Sequence, residues 1–285
     1  MLLGPSRSMT ALVQSANERP SRENLQGLSR NGGAAVADIS TTPVRMTSVS
    51  EPDHWFEPIA DHLGATYLRY AHTKGTRQEI DHVVVALGLE PGMRVLDVGC
   101  GPGRHTHELA ARGIACHGID IAERFVQLAR SHAPPGATFE RLDARAMTFH
   151  SDFDAAICLC QGAFGMMTAD GEDEAVLGGI ARALRPEGAL ALTAFNAYFA
   201  VKYHDGAVFD AGSGVTHERT TVHDDSGTAK EISLWTGCYT PRELRLLLER
   251  ASFGVERISS VEPGHYGDHE ATTETPEFLV IARVP

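Results

Sequence analysis

The chain has 285 residues, 42% of them apolar and 22% charged, the composition of an ordinary globular protein long enough to bury a sizeable core. A net charge of −12 opposes a nucleic-acid partner, because phosphate binding needs a basic footprint. No apolar run approaches the roughly 18 residues of a membrane span, and MLLGPSRSMTALVQSANERP is too polar after Leu3 for a secretory segment, so a cytoplasmic location is expected.

Residues 1–50 contain no Phe, Trp or Tyr and are rich in Ser, Ala, Gly, Asn and Thr. Such a stretch cannot offset its ordering entropy, and it is expected to be a disordered tail, or an upstream extension if Met46 is the working start. The folded domain is expected over 51–285. Between Asp53 and His72, Trp55, Phe56, Ile59, Leu63, Tyr67 and Tyr70 recur at helical spacing. Next, TRQEIDHVVVALGL predicts a helix with Thr76 as N-cap, Glu79 completing a capping box, and Gly88 closing it. Residues 51–88 are thus read as N-terminal helices.

Strand and helix then alternate: MRVLDVG, THELAARG, ACHGIDI, AERFVQLARSHA, TFERLDA, FDAAICLC, EDEAVLGGIARALR and ALALTAF. Short apolar strands alternating with helices predict an α/β fold with a doubly wound, mostly parallel sheet. After Phe195 the rhythm changes. Residues 198–214 read as loop, and VTHERTTVH and AKEISLWTGCY flank Asp225-Ser226-Gly227 as an added β-hairpin, giving an insertion over 198–239. Thr240, Pro241 and Glu243 start a capped helix, and GVERISSVE and EFLVIARV are the last strands. The five cysteines, odd in number and without framework spacing, fit a reducing compartment; Cys158 and Cys160 are expected to share one face of a strand as small buried residues.

The most informative stretch is VLDVGCGPGRHTHELAARG, 95–113. Gly99, Gly101 and Gly103 bare the backbone where a strand turns into a helix, which lets a ligand touch the chain directly. Neither register fits the dinucleotide pattern, since Arg104 or Thr106 falls where its last glycine belongs, and no lysine follows as a phosphate loop requires. The stretch instead resembles the first motif of class I S-adenosylmethionine (SAM)-dependent methyltransferases, Asp/Glu-x-Gly-x-Gly-x-Gly, through Asp97, Gly99, Gly101 and Gly103. The resemblance continues over about residues 76–285, through Asp120 at the end of strand two, Asp143-Ala144 at the end of strand three, LRPEGAL before strand five, and YTPRELRLLLERASF.

This resemblance implies a seven-stranded sheet with an N-terminal helical lid, SAM as cofactor, and methyl transfer to a small molecule. It implies cofactor contacts from Asp97, Gly99, Cys100, Gly101, Gly103, Asp120 (on the ribose), Ile121, Asp143 and Ala144 (at the adenine), Cys160 and Gln161, with Tyr67 and Tyr70 on the lid. A ligand without phosphate suits a loop flanked by three carboxylates and no lysine. The acceptor is expected over 160–167, 195–206 and 261–274, with Gln161 near the methyl and His265 or Tyr266 as general base. Tyr203 and His204 are weaker versions of the same idea. His105 and His107, two apart on a helix, do not share a face, so no metal site is expected. The insertion is expected to cap the acceptor pocket or to build a homodimer contact. Two rival readings remain: a SAM-binding protein that transfers no methyl, and a nucleic-acid methyltransferase. The second is opposed by Cys160-Gln161-Gly162-Ala163, which stands where amino-methylating relatives carry Asn/Asp-Pro-Pro-aromatic.

Overall fold

The computed structural model describes residues 54–70, 73–160, 162–166, 171–203 and 206–285. The expected tail, the alternative start at Met46, and the positions of Gln161 and His204 lie outside the described residues.

The central sheet runs β3 (Ala137–Arg141), β2 (Ala115–Asp120), β1 (Arg94–Val98), β4 (Phe153–Cys158), β5 (Leu184–Asn196), β10 (Glu277–Arg283), β9 (Gly254–Val261). The first five are mutually parallel, and β10 is antiparallel to both of its neighbours. These seven strands form the doubly wound sheet that the alternation of strands and helices predicts. Successive strand residues point to opposite faces, which sorts the apolar side chains into two cores. Leu96, Val98, Ala156, Leu190 and Leu192 pack with Leu177 and Ile180 of α5 (Glu172–Ala183) and with Leu244 and Leu248 of α7 (Pro241–Arg250). Val95, Ala155, Ile157, Ala189 and Ala191 face the other way, onto Ile80, Val83 and Leu87 of α2 (Thr76–Leu87) and Leu109 of α3 (Arg104–Ala111).

Several sequence expectations are corrected. The lid is not one helix over 53–72: α1 (Glu57–Leu63) gives way at Gly64 (φ 48°) to a 3-10 turn over Gly64–Arg69. Gly75, not Thr76, caps α2, and Glu79 does not close a capping box but turns into the interior. The Thr240 box forms as expected, with Glu243 N donating to Thr240 Oγ1 and Thr240 N donating to Glu243 Oε2, both at 3.2 Å. The segment read as loop over 198–214 holds α6 (Ala197–Tyr203) and a short strand β6 (Ala207–Asp210). That strand turns the hairpin into a three-stranded meander, β6-β7-β8, with β7 Val215–His223 and β8 Ala229–Tyr239. The meander joins the main sheet where Phe195 and Asn196 pair with Cys238 and Tyr239. Cys158 and Cys160 part company: β4 ends at Cys158, which is buried in a core, whereas Cys160 adopts φ 52° and turns toward α3.

The meander backs the N-terminal segment. Ile59 and Leu63 of α1 pack on Val222 and Ile232, and Trp55 meets Trp235 edge-on at 5.3 Å. On its other side Phe56 meets Phe125 of α4 (Glu123–Ser131).

Candidate functional site

The three motif glycines have different jobs. A Cβ on Gly99 (φ 73°) would stand 2.0 Å from the backbone of Gly162, so this glycine exists to let the loop after β4 lie on it. A Cβ on Gly103 (φ 85°) would meet Ala129 and Phe139 at 2.9 Å, so this one seats α3 against its neighbours. Only Gly101 (φ 53°) faces space, with Tyr67 and Phe125 first encountered at 3.9 and 4.0 Å. Gly99 and Cys100 both donate backbone N–H to Ile119 O, at 2.8 and 2.9 Å, which fixes the turn to the end of β2.

Asp120 organises the cavity beside this turn. One carboxylate oxygen accepts from Gly101 N and the other from Ala122 N, each at 2.8 Å. Burial raises its pKa to about 6 against the pull of those two backbone donors, so it is still ionised at neutral pH. The pocket is lined by Asp120, Ile121, Asp143 and Ala144 together with Gly99, and by His54 and Phe56 from the N-terminal segment. Asp143 caps the 3-10 turn Ala144–Ala146 and pairs with Arg145 at 2.7 Å, and Arg145 also pairs with Glu172. Burial alone would raise the Asp143 carboxyl, but the Arg145 hydrogen bonds and charge hold it below its usual range.

Asp97 lies outside that cavity. It is 1% exposed and accepts from Thr106 Oγ1 at 2.7 Å, which ties β1 to α3; burial outweighs this bond and raises its pKa to about 6.

On the far side of the turn is a second group of ionisable side chains. Glu79 is fully buried and accepts from Arg104 Nη1, from His105 Nε2 at 2.8 Å and from Gly264 N at 2.8 Å. Burial would raise the Glu79 carboxyl, yet the His105 hydrogen bond and the Arg104 charge hold it at about 2. Burial first, and then Arg104, lower His105 to about 4, so at neutral pH it is uncharged and donates from Nε2. Arg104 Nη2 also donates to Cys160 Sγ at 2.8 Å, and the Tyr266 hydroxyl lies 3.7 Å from the same sulfur. Burial pushes the Cys160 thiol up to about 12. Glu79, His105 and Cys160 bring three donor atoms within 4.8 Å of one another, but the Arg104 guanidinium bonds to two of the three and supplies the positive charge there. His107 turns elsewhere, to Ala129 O at 2.9 Å.

The two general-base candidates diverge. Tyr266 is buried, its backbone held by Gln78 through bonds of 2.7 and 2.8 Å, whereas His265 is exposed. Tyr67 packs on Phe125 at 4.9 Å and on Tyr70 at 6.4 Å, and burial raises its phenol above the ordinary range. Tyr203 is outside both groups, bonded to Glu274. Asn196 ties the end of β5 to its neighbours: its Oδ1 accepts from Tyr198 N at 2.9 Å, and its Nδ2 donates to Thr272 O and Thr275 O, both at 2.9 Å.

Sequence reasoning missed Glu79, Arg104, Arg145 and Glu277. Arg104 follows the last motif glycine directly and was the one signal within reach. Glu79 is defined by partners far away in the chain, and Arg145 joins its near neighbour Asp143 to the distant Glu172.

Residues 95–188 match the family model described as a methyltransferase domain. The chain is 31% identical over 124 residues to the ubiquinone biosynthesis O-methyltransferase of Xanthomonas campestris pv. campestris, covering 41% of this chain and 48% of that protein. It thus spans about half the length of the curated relative it matches. Among solved structures, it is similar to the CcbJ methyltransferase from Streptomyces caelestis, with TM-score 0.60 and 16% identity, covering 73% of this chain and 89% of that one. It is also similar to the glycopeptide N-methyltransferase MtfA complexed with SAM, with TM-score 0.54 and 15% identity, covering 74% and 94%. Residues 95–188 are therefore similar to a methyltransferase domain, and the fold is shared with these solved methyltransferases.

Proposed function

We propose that the protein transfers a methyl group from SAM to a small-molecule acceptor and releases S-adenosylhomocysteine (SAH). The observation that carries this is the Asp120 carboxylate, oriented by two backbone donors and lining one pocket with Ile121, Asp143 and Ala144. A carboxylate has about four lone-pair sites. Each Asp120 oxygen has one backbone donor and keeps room for a ribose hydroxyl. Ile121, Asp143 and Ala144 would hold the adenine, and the open backbone at Gly101 would admit the rest of the ligand past Tyr67. The absence of lysine from this loop suits a ligand without phosphate.

SAM brings a methyl carbon already activated by its sulfonium, so the residues of the chain have to bind, align and exclude water. The acceptor would sit over the ends of β4, β5 and β9, where Asn196 joins α6 to the 272–275 segment and Gln78 fixes Tyr266. Cys160 and Tyr266 stand on the methyl side in this reading. Five free cysteines, together with the finding that no helix among the described residues is long and apolar enough to cross a membrane, support a cytoplasmic location.

The test is calorimetric titration of SAM and SAH into the protein and into Asp120→Ala. Loss of two charge-assisted hydrogen bonds is worth on the order of 3 kcal/mol, or about 10²-fold in Kd. Saturable binding of both ligands, weakened to that extent in a variant that still folds, supports the reading. No binding at millimolar ligand refutes it. SAH production with an added acceptor separates methyl transfer from SAM binding alone.

A further inference from the structure

The adenosine cavity makes no use of the buried ionisable group on the other side of the glycine turn, and one member of that group stands apart. Glu277 opens β10, so it lies at the end of the sheet where β5 and β9 finish, paired in register with Phe195 and Val261. It is 4% exposed. The charges it feels come from Glu79 on α2 and Arg104 on α3. In turn it acts on Tyr67 of the lid, Cys160 after β4, and Tyr266 of the loop before β10. His105 is in the same group through its bond to Glu79, and neither Phe195 nor Val261 carries a charge. By strand alternation Glu277 shares the face of Leu279 and Ile281, which pack with Ile80 of α2 and with Tyr266, so it lies on the side of the sheet that holds Glu79 and the acceptor-side loop.

Resting on the function proposed above, we propose that Glu277 faces the sulfonium side of the bound cofactor and takes up the proton given up by the acceptor's nucleophilic atom. The other members are less suited. The three hydrogen bonds on Glu79 hold its carboxylate in place, Cys160 is bonded to Arg104 and keeps its proton, and His265 is exposed. Burial, and then repulsion by Glu79, raise the Glu277 carboxyl to about 8, with Arg104 pulling the other way. A cation arriving beside it favours the carboxylate, so the proton leaves as the positive ligand binds. In the transfer the acceptor's lone pair forms the new bond to carbon, the carbon–sulfur pair departs with sulfur, and the acceptor's proton passes to a Glu277 carboxylate oxygen.

SAM and SAH share the adenosine and amino-acid parts and differ in the positive charge at sulfur, so comparing them isolates Glu277 without an acceptor. Calorimetry of each ligand at pH 7.5, in two buffers of different ionisation enthalpy, counts the protons released. A group with pKa of about 8 is roughly three-quarters protonated at that pH. SAM binding is expected to release on the order of half a proton more than SAH binding, and Glu277→Gln, which mimics the protonated form, abolishes the difference. The ratio of SAM to SAH affinity should also rise with pH up to about 8 in the wild type, a readout that needs no variant. Equal proton release by the two ligands, a flat affinity ratio, or a difference that persists in Glu277→Gln overturns the assignment while leaving the proposed function standing. Failure of both ligands to bind the folded protein overturns the two together.

Discussion

Replacing Glu79 with glutamine preserves shape and removes one charge from the interior. The side chain accepts three hydrogen bonds, from Arg104, His105 and Gly264, and is fully buried. Its carboxyl is held at about 2, against an ordinary value of 4.5. At 1.36 kcal/mol per unit this difference is worth about 3 kcal/mol of folding stability. Removing one partner of a buried ion pair costs about 3–5 kcal/mol by independent reasoning, because the other charge is left behind. Glu79→Gln should therefore lose about 3 kcal/mol in urea unfolding at pH 7, with an unchanged dependence on denaturant. The folded-state pKa is depressed, so the stabilisation is complete above about 4.5 and fades as pH falls toward about 2. The gap between wild type and variant should narrow over that window. A loss below ~1 kcal/mol at pH 7, or a gap that ignores pH, would refute the view that Glu79 anchors this group.

His105 titrates in the opposite chemical sense but also weakens the fold in acid. Its folded-state pKa is lowered from 6.5 to about 4 by burial and by Arg104, so below 6.5 the unfolded chain binds the extra proton. Stability should fall by up to about 3 kcal/mol between pH 6.5 and 4, and that slope should disappear in His105→Gln as followed by denaturant melts. Gly99→Ala forces a methyl into the Gly162 backbone and should cost several kcal/mol, at about the upper end of single-site effects. Gly101→Ala has room for its methyl and should cost only about 1 kcal/mol of left-handed strain while weakening SAM binding. Comparable melting losses for the two alanine variants would contradict the division of labour among these glycines.

The layered architecture was legible in the sequence because strand and helix periods differ and because each buried strand reads as a short apolar run. The Thr240 box was legible because its partners lie three residues apart. Thr76 and Glu79 have the same spacing and do not form a box, since Glu79 finds Arg104 and His105 on the next helix and Gly264 far along the chain. Local pattern cannot register partners of that kind. The triplet of glycines reads in sequence as one ligand loop, whereas in the structure two of the three answer to packing against Gly162 and Phe139. Cys160 left the face of Cys158 because β4 ends between them and the chain there takes a left-handed conformation. AYFAVKY and AVFD are too short to show a period; the helix depends on the cap from Asn196, and the strand on its pairing with β7.

The contact between the lid and the meander has a practical consequence. The chain has two tryptophans, and both are in that contact: Trp55 on the lid side, stacked with His54, and Trp235 on β8, stacked with His217. All of the protein's intrinsic indole fluorescence therefore arises at the joint by which the lid is braced. Separation of the lid from the meander would change the surroundings of every emitter at once, with no background from tryptophans elsewhere. Stopped-flow emission on adding SAM can therefore report, on the native chain and without a label, whether that contact changes.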